Sequence, residues 1–171
     1  MAVLLKGGMV YQGHEFVRAD LLMQEGGIKR IGTELSGADV QVVDVTGKRI
    51  VPGFLDIHTH GAVGVDVNAA TAEDYEKICR FHAEQGTTGW LCSVLTDTRE
   101  QTMWCIEEYK RWKSLEHKGS RLLGIHLEGP FLSPEYKGAM PEHLLQKPNA
   151  QLVQEYQKAA GGEIRYITVS P

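Results

Sequence analysis

The spacing of apolar positions changes near residue 50 and divides the sequence into two parts. The first part holds short apolar or alternating runs, namely Ala2–Leu5, Asp20–Gln24, Ile28–Ile31 and Val40–Val45. The Glu25-Gly26-Gly27 segment predicts a hairpin between the second and third runs, because tight hairpin turns need residues with positive φ. We therefore predict short antiparallel strands here, too few to bury a core by themselves.

From Arg49 onward, apolar runs alternate with stretches that have one apolar helical face. Helix starts are predicted at Thr71, Thr98 and Asn149, which are capping residue types. The predicted strands are Ile50–Ile57, Thr87–Thr96, Arg121–Glu128 and Ile164–Val169. The first of these strands is nearly continuously apolar, which is typical of burial on both faces. Four strands joined by three helical crossovers indicate an α/β fold, the first half of a (β/α)₈ barrel.

Residue types that bind metals stand at the ends of two of these strands. His58 and His60 are spaced i, i+2, so that both imidazoles leave the same face of a strand. Glu128 ends another strand, and the C-terminal ends of barrel strands meet at one edge. Two histidines and a carboxylate suit Zn²⁺ or Fe²⁺, and a hydrolytic metal needs such ligands with positions left open. We predict a divalent-metal site at these three residues.

Each candidate ligand also has a structural interpretation. The two histidines could be polar residues at a loop entry, and Glu128 could be a solvated carboxylate. Asp56 could orient or ligate, or could make a structural hydrogen bond. His126 shares the face of Glu128, and we expect a supporting polar contact from it rather than ligation. His143 lies in a loop, where we expect it on the surface.

Composition and charge narrow the classes of function. The 171 residues suffice for one ordinary domain, or for a small domain plus part of a larger one. The net charge of −4 gives no electrostatic reason to expect nucleic acid or an anionic membrane as a partner. We expect neither a membrane span nor a signal peptide, because the required apolar runs are missing from the sequence. Three cysteines without a Cys-x-x-Cys pair suit the cytoplasm.

Four segments together resemble a known family. Val51–Gly61 reads Val-Pro-Gly-Phe-Leu-Asp-Ile-His-Thr-His-Gly, and Gly124–Phe131 reads Gly-Ile-His-Leu-Glu-Gly-Pro-Phe. Ser133–Ala139 and Ile167–Pro171 complete the pattern. The chain resembles the amidohydrolase superfamily and, within it, the N-acetylglucosamine-6-phosphate deacetylase family. The resemblance covers the whole chain, whereas the chain covers only part of the family pattern.

The resemblance implies that residues 1–50 belong to a small β-sandwich domain and that residues 51–171 form the first half of the barrel. It implies removal of the acetyl group from N-acetylglucosamine 6-phosphate with one or two divalent ions, Zn or Fe. Glu128 would be a ligand, His58 and His60 would hold a second position, and the backbone of Ala139 would contact the substrate. The general acid, an aspartate, is expected beyond residue 171. We therefore expect no catalytic residue in this chain, which alone would be inactive.

Several alternatives stay open at this point. The enzyme could be an N-acetylgalactosamine-6-phosphate deacetylase or another cyclic-amide amidohydrolase, although the Glu128–Phe131 segment argues against a dihydroorotase. A different class of function is a catalytically inactive truncated fragment. The expected partner is a phosphorylated amino sugar, and we expect the full-length protein to be a homo-oligomer.

Overall fold

The computed structural model describes residues 2–170, and Met1 and Pro171 lie outside the described residues. The C-terminal motif that ends at Pro171 is therefore described as far as Ser170. The structure is mixed α/β, and the chain separates into two compact units, one ending at Pro52 and the other beginning at Gly53. Between residues 2 and 170, no helix combines the length and the apolar character needed to cross a membrane.

The strands of the first unit are β1 (Ala2–Gln12), β2 (Glu15–Gln24), β3 (Gly27–Gly32), β4 (Val40–Asp44) and β5 (Arg49–Ile50). They form one sheet in the order β3-β2-β1-β4, with β5 also paired to β1. β1 and β2 are antiparallel, as are β2 and β3, whereas β4 and β5 run parallel to β1. A small core forms around Val10, Ala19 and Leu21.

The hairpin predicted in the first unit is confirmed, but its turn lies one residue earlier than the glycine pair. Glu25 and Gly26 have φ of 52° and 73°, and Gln24 pairs with Gly27. A two-residue loop with both φ positive is the geometry that matches the twist of the flanking strands.

The prediction that all strands of the first part are antiparallel was wrong for β4. After β3, residues 33–39 bring the chain back to the end of the sheet at which β1 begins, so β4 runs parallel to β1. The alternation of apolar and polar residues is the same in parallel and antiparallel strands of this kind, so it does not encode the direction.

The second unit is built on a parallel four-stranded sheet in the order β11-β10-β9-β6. Its larger strands are β6 (Phe54–Thr59), β9 (Thr87–Leu95), β10 (Arg121–Glu128) and β11 (Ile164–Thr168). The helices between successive strands are α1 (Ala72–Glu84), α2 (Arg99–Lys113) and α3 (Ala150–Ala159). A short hairpin of β7 (Gly61–Ala62) and β8 (Val65–Asp66) and two 3₁₀ turns, Val67–Ala69 and Glu142–Leu144, complete the unit.

The predicted helix starts and core faces of the second unit are confirmed. The Thr98 hydroxyl accepts a hydrogen bond from Gln101 N, and the Asn149 side chain accepts one from Leu152 N. On α1, the spacing i, i+3, i+4, i+7 of Tyr75, Ile78, Cys79 and His82 predicts a shared helical face, and all four residues are buried. These residues pack with side chains of α2 and β9, among them Trp90, Cys105, Tyr109 and Trp112, in one continuous core.

The predicted strand Ile50–Ile57 was wrong in its bounds and in its burial. Ile50 belongs to β5, the next three residues lie in no strand, and β6 begins only at Phe54. Phe54, Leu55 and Ile57 are exposed, by 63%, 65% and 58%. β6 pairs only with β9 among the described strands, so it is an edge strand, and an apolar run alone does not tell an edge strand from a central one.

The three cysteines are buried free thiols of this core. Burial raises the pKa of Cys79 to about 11 and the pKa of Cys105 to about 12, because the apolar surroundings disfavour the charged thiolate. Burial raises the pKa of Cys92 as well. All three thiols are therefore protonated at physiological pH.

We expect Cys79, Cys92 and Cys105 to react slowly with iodoacetamide in the native protein at pH 8, because the thiolate is the reactive species and all three are shielded. After unfolding in guanidinium chloride, all three should react quickly. Mass spectrometry of the three cysteine-containing peptides after timed alkylation measures this. Rapid native alkylation of any one peptide, or a disulfide-linked pair in an unreduced digest, would contradict the expectation.

Candidate metal centre

Three side chains meet at the C-terminal ends of β6 and β10. His58 lies in β6, His60 follows the strand directly, and Glu128 is the last residue of β10. The Nε2 atoms of His58 and His60 lie 3.4 Å and 2.9 Å from Oε2 of Glu128. The same two nitrogens are 3.0 Å apart. The structure thus brings together the three residues predicted as ligands.

The parallel sheet explains why residues about seventy positions apart can meet. β9 lies between β6 and β10, so the two strands that carry the cluster are separated by two strand spacings, about 10 Å in all. Parallel strands end at the same edge of a sheet, and the side chains at that edge reach across β9 toward each other. The cluster is therefore a consequence of strand order and direction.

A backbone carbonyl fixes the ring of His60. Its Nδ1 atom lies 3.0 Å from the carbonyl oxygen of Ser93 in β9. A carbonyl oxygen only accepts hydrogen bonds, so Nδ1 carries a hydrogen. The neutral tautomer with its hydrogen on Nδ1 has its lone pair on Nε2, the atom nearest Glu128, and it is a form in which histidine binds a divalent metal.

The donor atoms of the cluster fit a metal ion. One ligand atom from each of His58, His60 and Glu128 lies within 4.8 Å of the other two. Lone pairs of a carboxylate and of imidazole nitrogens repel at such distances unless a cation or a proton lies among them. Two histidines and one carboxylate are a set that zinc accepts with a position left open.

His126 supports the cluster from the interior of the sheet, as expected. Its ring is completely buried, with Nδ1 2.8 Å from the Ser93 hydroxyl and Nε2 2.9 Å from the Thr168 hydroxyl. The ring stacks on Tyr166, and its centroid lies 4.9 Å from that of His58. Burial, and secondarily His58, lowers the pKa of His126 to about 4. Both ring nitrogens are engaged, so this histidine is a neighbour of the cluster and not a donor to it.

The remaining candidates take structural or surface positions. Asp56 accepts a hydrogen bond from the backbone N–H of His58 at 3.0 Å, which is the structural role considered for it. His143 is exposed in the 3₁₀ turn after β10. Ala139 is exposed in the loop before that turn, and its contact with a substrate stays a prediction.

Ser93 is the site residue that sequence reasoning missed. It is fully buried in β9, its carbonyl oxygen holds His60, and its hydroxyl contacts His126 and the backbone N–H of Thr59. The available signal was a lone polar residue inside the apolar run from Leu91 to Leu95. A buried hydroxyl needs partners, and such a residue therefore marks a polar contact inside the sheet.

The residue after Glu128 must be a glycine. Gly129 has φ of 86°, and the Thr96 hydroxyl donates a hydrogen bond of 2.7 Å to the carbonyl oxygen of Glu128. A Cβ atom added to Gly129 would lie 2.1 Å from that hydroxyl oxygen. Close packing against Thr96 thus fixes the backbone conformation at Glu128 and Gly129.

Comparisons with known proteins name one activity repeatedly. No protein-family model matches the chain. A curated relative from Bacillus subtilis (strain 168), N-acetylglucosamine-6-phosphate deacetylase, is 34% identical over 125 residues, which are 71% of this chain and 32% of that protein. A crystal structure of N-acetylglucosamine-6-phosphate deacetylase from Pasteurella multocida matches 99% of this chain and 45% of its own with a TM-score of 0.87. Because its identity is 22%, this likeness concerns the fold.

A second activity occurs among the curated relatives. A dihydroorotase from Lactobacillus helveticus (strain DPC 4571) is 31% identical over 147 residues, which are 84% of this chain and 32% of that protein. The chain thus spans 32% to 45% of the length of these three relatives.

We expect Gly129→Ala to destabilise the protein by at least about 2 kcal/mol, because it adds a steric clash to an unfavourable φ. Gly161→Ala is the matched control: its φ is 63°, but the added Cβ meets open space. That control should cost only about 1 kcal/mol, the penalty of a left-handed backbone. Urea denaturation measures both free energies of unfolding, and equal losses would show that close packing at Gly129 is unimportant.

Proposed function

We propose that the chain is part of an N-acetylglucosamine-6-phosphate deacetylase of the amidohydrolase superfamily, and that the complete protein removes the acetyl group from N-acetylglucosamine 6-phosphate. The products would be acetate and glucosamine 6-phosphate. The observation that carries this proposal is the convergence of His58, His60 and Glu128 at one edge of the parallel sheet. The deacetylase relatives indicate the substrate.

We propose that the second unit is the first half of a (β/α)₈ barrel and that residues 1–50 are part of a β-sandwich domain. Four parallel strands in sequence order, each followed by a helix up to β11, support the half barrel. Exposed apolar side chains on β6 and β11, such as Phe54, Leu55 and Tyr166, support it as well. The second half of a barrel would cover these side chains and pair with both edge strands.

We propose that His58, His60 and Glu128 hold divalent metal, one or two ions of Zn²⁺ or Fe²⁺. The fixed tautomer of His60 and the distances among the three ligand atoms support this assignment. When bound, such a metal lowers the pKa of a water molecule toward about 7 and polarises the carbonyl group of an amide.

The residues of this chain would prepare the site for that chemistry. Glu128 would supply an anionic ligand that balances the charge of a metal ion, and Nε2 of His58 and Nε2 of His60 lie close enough to its carboxylate to serve as ligands of the same ion. The backbone N–H of Ala139, in the loop after β10, is the group that we propose to donate a hydrogen bond to the substrate.

The leaving amine must gain a proton, and this requires a general acid. We propose that this group is an aspartate outside the present 171 residues, together with the remaining metal ligands and the residues that hold the phosphate. The chain covers 45% of the Pasteurella multocida structure, so more than half of that structure has no counterpart in these residues and could correspond to the segment that carries these groups.

We further propose that the complete protein is cytoplasmic and homo-oligomeric, with a phosphorylated amino sugar as its small-molecule substrate. Three buried free thiols support a reducing compartment. Unpaired edge strands support association with further protein.

We expect Glu128→Gln in the complete protein to lower bound metal and acetate release at least about tenfold, because glutamine keeps the shape of the side chain but removes the anionic ligand. Glu135→Gln, at an exposed glutamate of the following loop, should leave both unchanged. Metal is measured by mass spectrometry of the purified protein. Turnover is measured as acetate release from N-acetylglucosamine 6-phosphate and from its galactosamine epimer, and as ring opening of dihydroorotate, in separate assays. Wild-type metal content and turnover in Glu128→Gln would refute the ligand assignment, and turnover of dihydroorotate alone would refute the substrate assignment.

We expect residues 1–171 alone to self-associate and to release no acetate. β6 and β11 each leave one strand edge without a partner among the described residues, and apolar side chains lie exposed on both. Size-exclusion chromatography with an acetate-release assay on this fragment tests the expectation. A monodisperse monomer of 19.0 kDa that deacetylates the sugar phosphate would contradict it.

A further inference from the structure

A row of hydrogen bonds crosses all four strands of the parallel sheet next to the metal centre. The backbone N–H of Thr59 donates to the hydroxyl of Ser93 at 3.0 Å. That hydroxyl lies 2.8 Å from Nδ1 of His126, and Nε2 of His126 lies 2.9 Å from the hydroxyl of Thr168. We call Thr59, Ser93, His126 and Thr168 the polar row, with one member in each of β6, β9, β10 and β11.

The hydrogen bonds of the polar row have one consistent direction. The Ser93 oxygen accepts from the backbone N–H of Thr59, so the Ser93 hydrogen is free to donate to Nδ1 of His126. Nε2 of His126 then carries the ring hydrogen and donates to Thr168. Because Ser93 and His126 are completely buried, the opposite arrangement would leave the serine hydrogen without an acceptor in the row, which is costly in a protein interior.

Ser93 makes three contacts next to the metal centre. Its hydroxyl holds the backbone of Thr59, the residue between His58 and His60. Its carbonyl oxygen fixes the ring of His60 through Nδ1. Its hydroxyl also orients the ring of His126, which meets the ring of His58 edge to face at an interplanar angle of 66°. One buried residue in β9 is therefore linked both to His58 in β6 and to His60 directly after it.

We propose that Ser93 is a positioning residue, which sets the orientation of His58 and His60 through the polar row. This inference rests on the proposed metal-binding function of the cluster. A hydroxyl and an imidazole inside a sheet cost free energy unless every polar atom has a partner, and apolar side chains would fill the same space without that requirement. All hydrogen bonds of the polar row can form together in only one arrangement of its side chains. That arrangement fixes the backbone at Thr59, between the two histidines, and the ring of His126, which packs against His58.

The test compares three variants of the complete protein. Ser93→Ala removes the hydroxyl but keeps the carbonyl oxygen that holds His60. Thr168→Val removes the hydroxyl at the far end of the row without a change of shape. Ser120→Ala is the matched control, since Ser120 is buried in the same unit and its hydroxyl has no hydrogen-bond partner among residues 2–170.

The first readout needs no metal. Long-range ¹H–¹⁵N spectra of ¹⁵N-histidine-labelled protein report the tautomer of each imidazole, assigned with single histidine substitutions. In the wild type we expect the hydrogen of His126 on Nε2 and that of His60 on Nδ1. In Ser93→Ala, His126 should become a mixture of tautomers and the resonances of His58 and His60 should shift or broaden, whereas Ser120→Ala should leave all of them unchanged.

The second readout is the affinity for Zn²⁺ alone, measured by competition with a chromogenic chelator. Loss of a partner that orients a metal ligand weakens metal binding about 10- to 100-fold, so the dissociation constant of Ser93→Ala should rise at least about tenfold. Thr168→Val should change both readouts in the same direction, which keeps the proposal testable if Ser93→Ala fails to fold. Ser120→Ala should bind Zn²⁺ like the wild type.

The two readouts separate this inference from the proposed function. Wild-type imidazole spectra and a Zn²⁺ affinity within twofold of wild type in Ser93→Ala, or in Thr168→Val if the first does not fold, would overturn the positioning role. Failure of the wild type to bind Zn²⁺ would count against the metal assignment. In that case the imidazole spectra still decide whether Ser93 orients His58 and His60.

Discussion

The close approach of two imidazole nitrogens to one carboxylate oxygen is the interaction on which the account of this protein depends. The distances of 3.4 Å and 2.9 Å from His58 and His60 to Glu128 exist because β6 and β10 run parallel and end at one edge of the sheet. Neighbouring contacts fix two of these residues. The Ser93 carbonyl holds the ring of His60 through Nδ1, and close packing of Gly129 against Thr96 fixes the backbone next to Glu128. Two imidazoles and a carboxylate that are fixed in this way form a set of ligands that suits a divalent metal ion.

The same sheet connects the site to the exposed edge strands. β9 and β10 have neighbours on both sides and carry the buried residues Ser93 and His126. β6 carries His58 and leads into His60, but it is an edge strand with exposed apolar side chains. A strand that supplies ligands needs its backbone held in register, and here the hydrogen bond from Thr59 to Ser93 contributes to that. Under the half-barrel proposal, the missing wall would stabilise the same strand from its other side.

Much of the second unit could be predicted because its signals are local. Capping residues such as Thr98 and Asn149 predict where the helices begin. The i, i+2 spacing of His58 and His60 predicts that both side chains lie on one face of a strand. The direction of β4 and the exposure of Phe54 could not be predicted, since both depend on which strand lies alongside. Ser93 was missed for the same reason, because its partners are 33 and 34 positions away in the sequence.

The most direct test of the central claim is an anomalous difference map, measured at the zinc absorption edge, from crystals of the complete protein grown with Zn²⁺. The account predicts a peak within about 2.0–2.2 Å of Nε2 of His60 and of Oε2 of Glu128, with Nε2 of His58 at this ion or at a second one beside it. A zinc peak held by other residues, with the three side chains left in contact only with each other, would contradict the account.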